Sequence, residues 1–118
     1  MNGSPTEGIK TVLYPVSDLG KAKELYTALL GTGPQVDSEY YVGFDAAGQH
    51  IGLVPRGGPQ SPAAPVAYWH VADMEAKLAE VTAAGGSITD GPRGVGGGRR
   101  VATVTDPDGN PIGLLQDR

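Results

Sequence analysis

The sequence predicts an α+β fold in which one β-α-β-β-β module occurs twice in tandem, related by a pseudo-two-fold axis. Two internal matches and one repeated pattern predict it. Asp45-Ala46-Ala47-Gly48-Gln49-His50-Ile51-Gly52-Leu53-Val54 aligns without a gap on Asp106-Pro107-Asp108-Gly109-Asn110-Pro111-Ile112-Gly113-Leu114-Leu115. Upstream, residues 12–19 match residues 67–74 more loosely, each stretch ending in Val-x-Asp followed by Leu or Met. Both matches are set in the same order of strand-like and helix-like stretches. Two halves on one plan imply equivalent sheets with a cleft between them.

Each element has a local cause. Residues 1–8 are polar and contain Gly and Pro, so they read as a flexible tail before a single domain, 9–118. Residues 9–16 form a mostly apolar strand, after which Ser17 and Asp18 compete to cap a helix over 19–30. Leu19, Ala22, Leu25, Tyr26, Leu29 and Leu30 recur at helical spacing, and Gly31 supplies the stop. Short strands are expected at 35–38, 39–45 and 49–54, which completes module 1 (9–54). Residues 55–65, dense in Pro, Gly, Ser and Ala, read as the linker. Module 2 (66–118) repeats the order: a strand at 66–71, an Asp73-capped helix to 84 stopped by Gly85-Gly86, then strands at 87–90, 99–105 and 111–116. Residues 91–98 are glycine-rich and read as a slack loop, or as a lid over a ligand. Asp106-Pro107-Asp108-Gly109-Asn110 is a strong hairpin turn, and residues 45–49 are expected to turn the same way.

Composition narrows the function. With 118 residues the chain has room for one core, and with no cysteine it has neither disulfides nor a thiol nucleophile. A net charge of −4, with Arg99-Arg100 the only basic pair, argues against a nucleic-acid surface. No apolar run reaches the length of a membrane span and the start lacks a secretory pattern, so no membrane partner and a cytoplasmic location are expected. There is no P-loop, dinucleotide fingerprint or Ser-His-Asp order.

The doubled module, with Val16-Ser17-Asp18-Leu19 and Val71-Ala72-Asp73-Met74 at the strand-to-helix junctions and Asp106-Pro107-Asp108-Gly109-Asn110-Pro111-Ile112-Gly113-Leu114 near the end, resembles the vicinal oxygen chelate superfamily. This is also called the glyoxalase/bleomycin-resistance/dioxygenase family. The resemblance covers nearly everything after the tail and implies a curved mixed sheet with the helices on its outer face. Enzymatic members hold a divalent metal with four side chains, and the resemblance carries those positions onto Thr11, Gly52, Val66 and Gly113. None is His, Glu or Asp, so no metal and no cofactor are expected.

Strand alternation then sketches the cleft. Thr11 and Leu13 should share it with Val66, Tyr68 and His70. A first hairpin turning like the second should put Phe44 opposite His50, Val42 opposite Gly52 and Tyr40 opposite Val54. The second should put Thr103 opposite Gly113 and Val101 opposite Leu115, with Arg99 next in phase. Ile51, Leu53, Ala102, Val104, Ile112 and Leu114 should lie beneath the helices. Trp69 belongs to that side as well, unless a bulge turns it into the cleft. The predicted cleft is aromatic and aliphatic, with two His, one Arg, a few hydroxyls and no carboxylate. It suits a planar or aromatic small molecule.

The function these residues favour is a non-catalytic, metal-free binding protein of the bleomycin-resistance type, sequestering an aromatic or largely apolar compound such as an antibiotic, and by family habit a homodimer. The alternative is a glyoxalase- or dioxygenase-like lyase or isomerase using His50 and His70 with an atypical metal or none. The absence of an orienting carboxylate in phase with either His weighs against catalysis. The same register implies that Gly113→Glu is tolerated in folding while Ile112→Asp is not.

Overall fold

The structure is a computed structural model that describes residues 6–58 and 61–117. The described residues divide into two compact units: those within 10–66, and those from Ala67 onward together with those before Lys10. Part of the predicted tail and two linker positions, Pro59 and Gln60, lie outside the described residues. Among the described residues no helix is long and apolar enough to cross a membrane.

The N-terminal unit runs β1 (Ile9–Val16), α1 (Leu19–Leu30), β2 (Val36–Asp37), β3 (Val42–Ala46) and β4 (Gln49–Pro55). The strands lie in the order β2-β3-β4-β1, with β1 parallel to β4 and the other pairs antiparallel. Asp18 wins the cap: its carboxylate accepts the backbone N–H of Lys21 at 3.0 Å, satisfying a donor that the first helical turn leaves over. Gly31, at φ 75°, closes the other end. Leu19, Ala22, Tyr26 and Leu30 pack on a core of Val42, Phe44 and Leu53, while Leu25 and Leu29 point outward. The apolar spacing of α1 is therefore wider than the face it buries.

The first hairpin departs from its expected form. Ala46 pairs with Gln49, so Ala47 and Gly48 alone make the turn, both with positive φ (54° and 79°). Two left-handed residues are what a tight hairpin requires to match strand twist, and the non-glycine one carries a steric cost. The second hairpin keeps the longer turn, with Thr105 paired to Pro111 and Asp106 accepting the backbone N–H groups of Asp108 and Asn110 at 2.9 Å each. The ungapped alignment concealed this difference.

Its consequence is a register one residue away from expectation. Asp45 pairs with His50 and Gly43 with Gly52, while Phe44 faces Ile51 and Val42 faces Leu53. Side chains of a strand alternate, so a single-residue slip exchanges its two faces. Phe44 (0% exposed) and Val42 (1%) lie in the core under α1, not in a cleft, and Tyr40 stands at 77% exposure before the strand begins.

The C-terminal unit runs β5 (Val66–His70), α2 (Met74–Ala83), β6 (Ser87–Gly96), β7 (Arg99–Thr105) and β8 (Pro111–Gln116), in the order β6-β7-β8-β5. Asp73 caps α2 by accepting the N–H of Ala76 at 3.1 Å. Met74 and Leu78 pack on Val71, Ala102, Val104 and Leu114, with Val81 and Ile112 against them. The predicted second-half register is observed: Thr103 pairs with Gly113 and Val101 with Leu115. Trp69 pairs with Leu114 between regular neighbours, so no bulge turns it from the helix side.

The glycine-rich stretch is a paired strand, not a slack loop. It extends β6 to Gly96 along β7, with register shifts near Asp90, Arg93 and Gly96, and Gly97-Gly98 forms the turn. Glycine lets the strand absorb those shifts. At the other end of the unit, His70 is gripped by the start of the chain: Glu7 N–H donates to its carbonyl at 2.8 Å and its own N–H donates to Gly8 at 2.9 Å.

Candidate active site

On the face of the N-terminal sheet away from α1, three side chains form a chain of hydrogen bonds. His50 Nδ1 lies 2.8 Å from Asp45 Oδ1, and His50 Nε2 meets the hydroxyl of Tyr41. A carboxylate only accepts, so Nδ1 carries the proton; Nε2 of the neutral ring is then the acceptor for the Tyr41 O–H. The imidazole side chain is mostly buried at 20% exposure, whereas the Asp45 carboxylate is 64% exposed.

Local structure holds each member. Ser38 fixes the turn before β3: its hydroxyl accepts the N–H groups of Tyr40 (3.2 Å) and Tyr41 (3.1 Å), and its N–H donates to the Tyr41 carbonyl at 3.0 Å. Gln35 Oε1 accepts the Asp45 N–H at 2.6 Å. Beneath lie two paired glycines. A Cβ on Gly43 would stand 2.8 Å from the Tyr41 ring and 2.9 Å from His50 Cε1; one on Gly52 would stand 2.5 Å from both the Tyr41 oxygen and Leu13 Cδ2. Only glycine at both positions lets the two rings lie down on the sheet.

The C-terminal unit presents a second polar face. Tyr68 is buried (7% exposed) with its ring over Gly113, where a Cβ would come within 2.5 Å of it. Burial pushes its phenol above the ordinary value, Arg93 pulling against that and Asp90 adding to it. Arg93 Nε donates to Asp90 Oδ2 at 3.0 Å. Asp117 accepts from Arg99 Nε at 2.7 Å and lies 4.0 Å from His70 Nδ1. The Arg99 hydrogen bond holds the Asp117 carboxyl below its usual range despite partial desolvation, with the charges of Arg99 and His70 adding to it. Both faces therefore carry carboxylates, and both histidines have one nearby, contrary to expectation.

The metal that the resemblance implies does not fit these residues. Thr11 and Val66 are buried and offer one hydroxyl between them, and the space beside Gly52 and Gly113 is filled by Leu13 with Tyr41 and by Tyr68. Among the described residues no three His, Asp or Glu side chains gather in a way that could hold an ion.

Of the residues singled out in the sequence, Thr11, Leu13, His50 and Gly52 share the N-terminal face, and Tyr68, His70, Val101, Thr103, Gly113 and Leu115 the C-terminal one, with Arg99 next in phase. Tyr40, Val42, Phe44 and Trp69 do not belong with them. Tyr41, Gly43 and Asp45 were missed. The signal that could have found them is the Ala47-Gly48 pair, read as a complete two-residue turn.

Residues 8–114 match the Glyoxalase/Bleomycin resistance protein/Dioxygenase superfamily. The chain is 33% identical to a probable lactoylglutathione lyase of Vibrio cholerae, over 87% of this chain and 86% of that protein. Its fold is that of methylmalonyl-CoA epimerase from Mycobacterium tuberculosis, with a TM-score of 0.75 at 19% identity, covering 100% of this chain and 93% of that one. The Q60A form of Streptomyces coelicolor methylmalonyl-CoA epimerase gives 0.71 at 18%, covering 96% and 99%. A relative named for lyase activity overturns the expectation of a non-catalytic binder of the antibiotic-resistance kind. The matched span and the lyase relative together make this chain a member of the glyoxalase/bleomycin resistance protein/dioxygenase superfamily.

Proposed function

We propose that this chain is an enzyme of the lyase or isomerase kind, which moves a proton at a carbon beside a carbonyl by side-chain acid–base chemistry centred on His50. The observation that carries this reading is the Asp45–His50 contact at 2.8 Å. A carboxylate on Nδ1 selects one tautomer, aims the other nitrogen, and stabilises the imidazolium that forms when the ring takes a proton. Imidazole is suited to giving and receiving protons near neutral pH. The relatives support the class of reaction: an epimerase must remove and return a group at a stereogenic carbon, and beside a carbonyl the group that leaves at least cost is a proton. His70 Nδ1 lies 4.0 Å from Asp117, farther than the hydrogen bond that orients His50.

The test is solvent exchange. In D2O containing a chelator, the wild-type chain should incorporate deuterium into S-lactoylglutathione or methylmalonyl-CoA at the carbon beside the carbonyl. His50→Gln should slow this by about 100-fold or more, the usual scale of a general acid–base contribution. Failure of the wild type to label either compound rejects the proposed chemistry.

A further inference from the structure

We propose that the catalytic residue that exchanges the proton with substrate is Tyr41, with His50 and Asp45 behind it as the relay that loads and unloads its phenol. This rests on the acid–base reading above and names the atom that performs it.

Both nitrogens of His50 are committed within the N-terminal unit, Nδ1 to Asp45 and Nε2 to the Tyr41 hydroxyl. A substrate that approached Nε2 directly would have to displace the phenol. The phenol is not placed to swing away, because its ring is seated over Gly43 and Gly52 and its backbone is pinned by Ser38 on both N–H and C=O. The Tyr41 and His50 rings lie 5.9 Å apart between centroids with planes within 13° of one another.

The phenol oxygen also occupies a distinctive place. It would be 2.5 Å from a Cβ at Gly52, the position to which the family resemblance assigns a metal ligand. A proton-transferring oxygen stands beside the point from which a ligand side chain would project. Tyr41 is half-buried, so the ring is neither sealed in the core nor fully solvated.

The step balances without any further reactant. The substrate C–H bond breaks and its proton goes to Tyr41 Oη as the phenolic proton passes to His50 Nε2. The electron pair left on carbon moves into the adjacent carbonyl as an enolate, and Asp45 holds the imidazolium. Return of the two protons along the same path restores the enzyme, and delivery to the other carbon of the enolate system, or to its opposite face, gives the isomer.

Three measurements test this. Tyr41→Phe keeps the ring on its glycines and should melt close to the wild type, yet lower kcat for deuterium exchange by about 100-fold or more. Adding His50→Gln to it should cost little further, because residues acting as one unit are not additive. If His50 met the substrate itself, Tyr41→Phe would free Nε2 and leave the rate equal or higher; that result overturns the proposal. A second readout needs no substrate. N-acetylimidazole should acetylate Tyr41 faster than the exposed Tyr40, and His50→Gln should slow that modification about tenfold, since the imidazole activates the oxygen. Acetylation indifferent to His50 overturns the relay. Acetylation that depends on His50, in a chain that labels neither compound, supports the phenol–imidazole couple while rejecting the lyase or isomerase reading.

Discussion

Asp45 and Gly113 show how much a single position decides. Asp45 is exposed, and its carboxylate accepts the His50 Nδ1 proton, which fixes the His50 tautomer. Asp45→Asn keeps the shape but presents an amide that can donate as well as accept, so the favoured tautomer is lost. Deuterium exchange should fall about tenfold or more with the melting temperature nearly unchanged. Gly113 makes the opposite point. A tolerated Gly113→Glu, as the register alone implied, is inconsistent with a Tyr68 ring 2.5 Å from the site of the added Cβ. Even Gly113→Ala should destabilise, by about 1–3 kcal/mol, through the strain of inserting atoms into a packed face. Ile112→Asp, which puts a carboxylate against the α2 core, should destabilise as well, so both variants melt below the wild type.

At the scale of elements, the β3–β4 hairpin is the part on which the candidate site depends. Its two-residue turn places Tyr41, Gly43 and Asp45 on the side away from α1 and sends Val42 and Phe44 into the core. Ala47 makes that turn at φ 54°, a conformation that costs an alanine about 1 kcal/mol relative to glycine. Ala47→Gly should therefore raise the unfolding midpoint in urea while preserving the pairing of Asp45 with His50. A lower midpoint would mean that the entropy glycine gains in the unfolded chain outweighs the relief of strain. Much of the secondary structure was legible beforehand: both helices, the Asp73 cap, Gly31 and the second hairpin followed from local chemistry, which left Ser17 and Asp18 competing for the first cap. The glycine-rich strand was not, because its pairing with β7 is a long-range contact that composition does not record.

For the molecule as a whole, the acid limb of stability is set by a few surface carboxylates. Hydrogen bonds from Asn110 hold Asp106 below the usual aspartate range, Arg99 does the same for Asp117, and Arg100 for Glu75. A carboxyl depressed in the folded state contributes stability that is present above its unfolded value, about 3.9 for aspartate, and is lost as pH falls through the folded one. The melting temperature should therefore drop as pH is lowered from about 5 toward 2. Asp106→Ala should flatten that limb, whereas added salt should weaken the Arg99–Asp117 and Arg100–Glu75 contributions, which are exposed and screened. An acid limb indifferent to both changes would remove these groups from the account.

By itself, the sequence determined the doubled module, the helix boundaries and the second-half strand faces. Each follows from the residues at a position and their near neighbours, through caps, alternation and turn propensity. It also placed His50 correctly on the face away from the helix. What only the tertiary structure decided is what His50 meets there. The partners Asp45 and Tyr41 depend on whether the first hairpin turns in two residues or three, and an alanine in the left-handed region gives little local warning of the choice. Because strand faces alternate with a period of two, that small difference exchanged the entire β3 face. It converted an apparently carboxylate-free surface into a Tyr–His–Asp chain of hydrogen bonds.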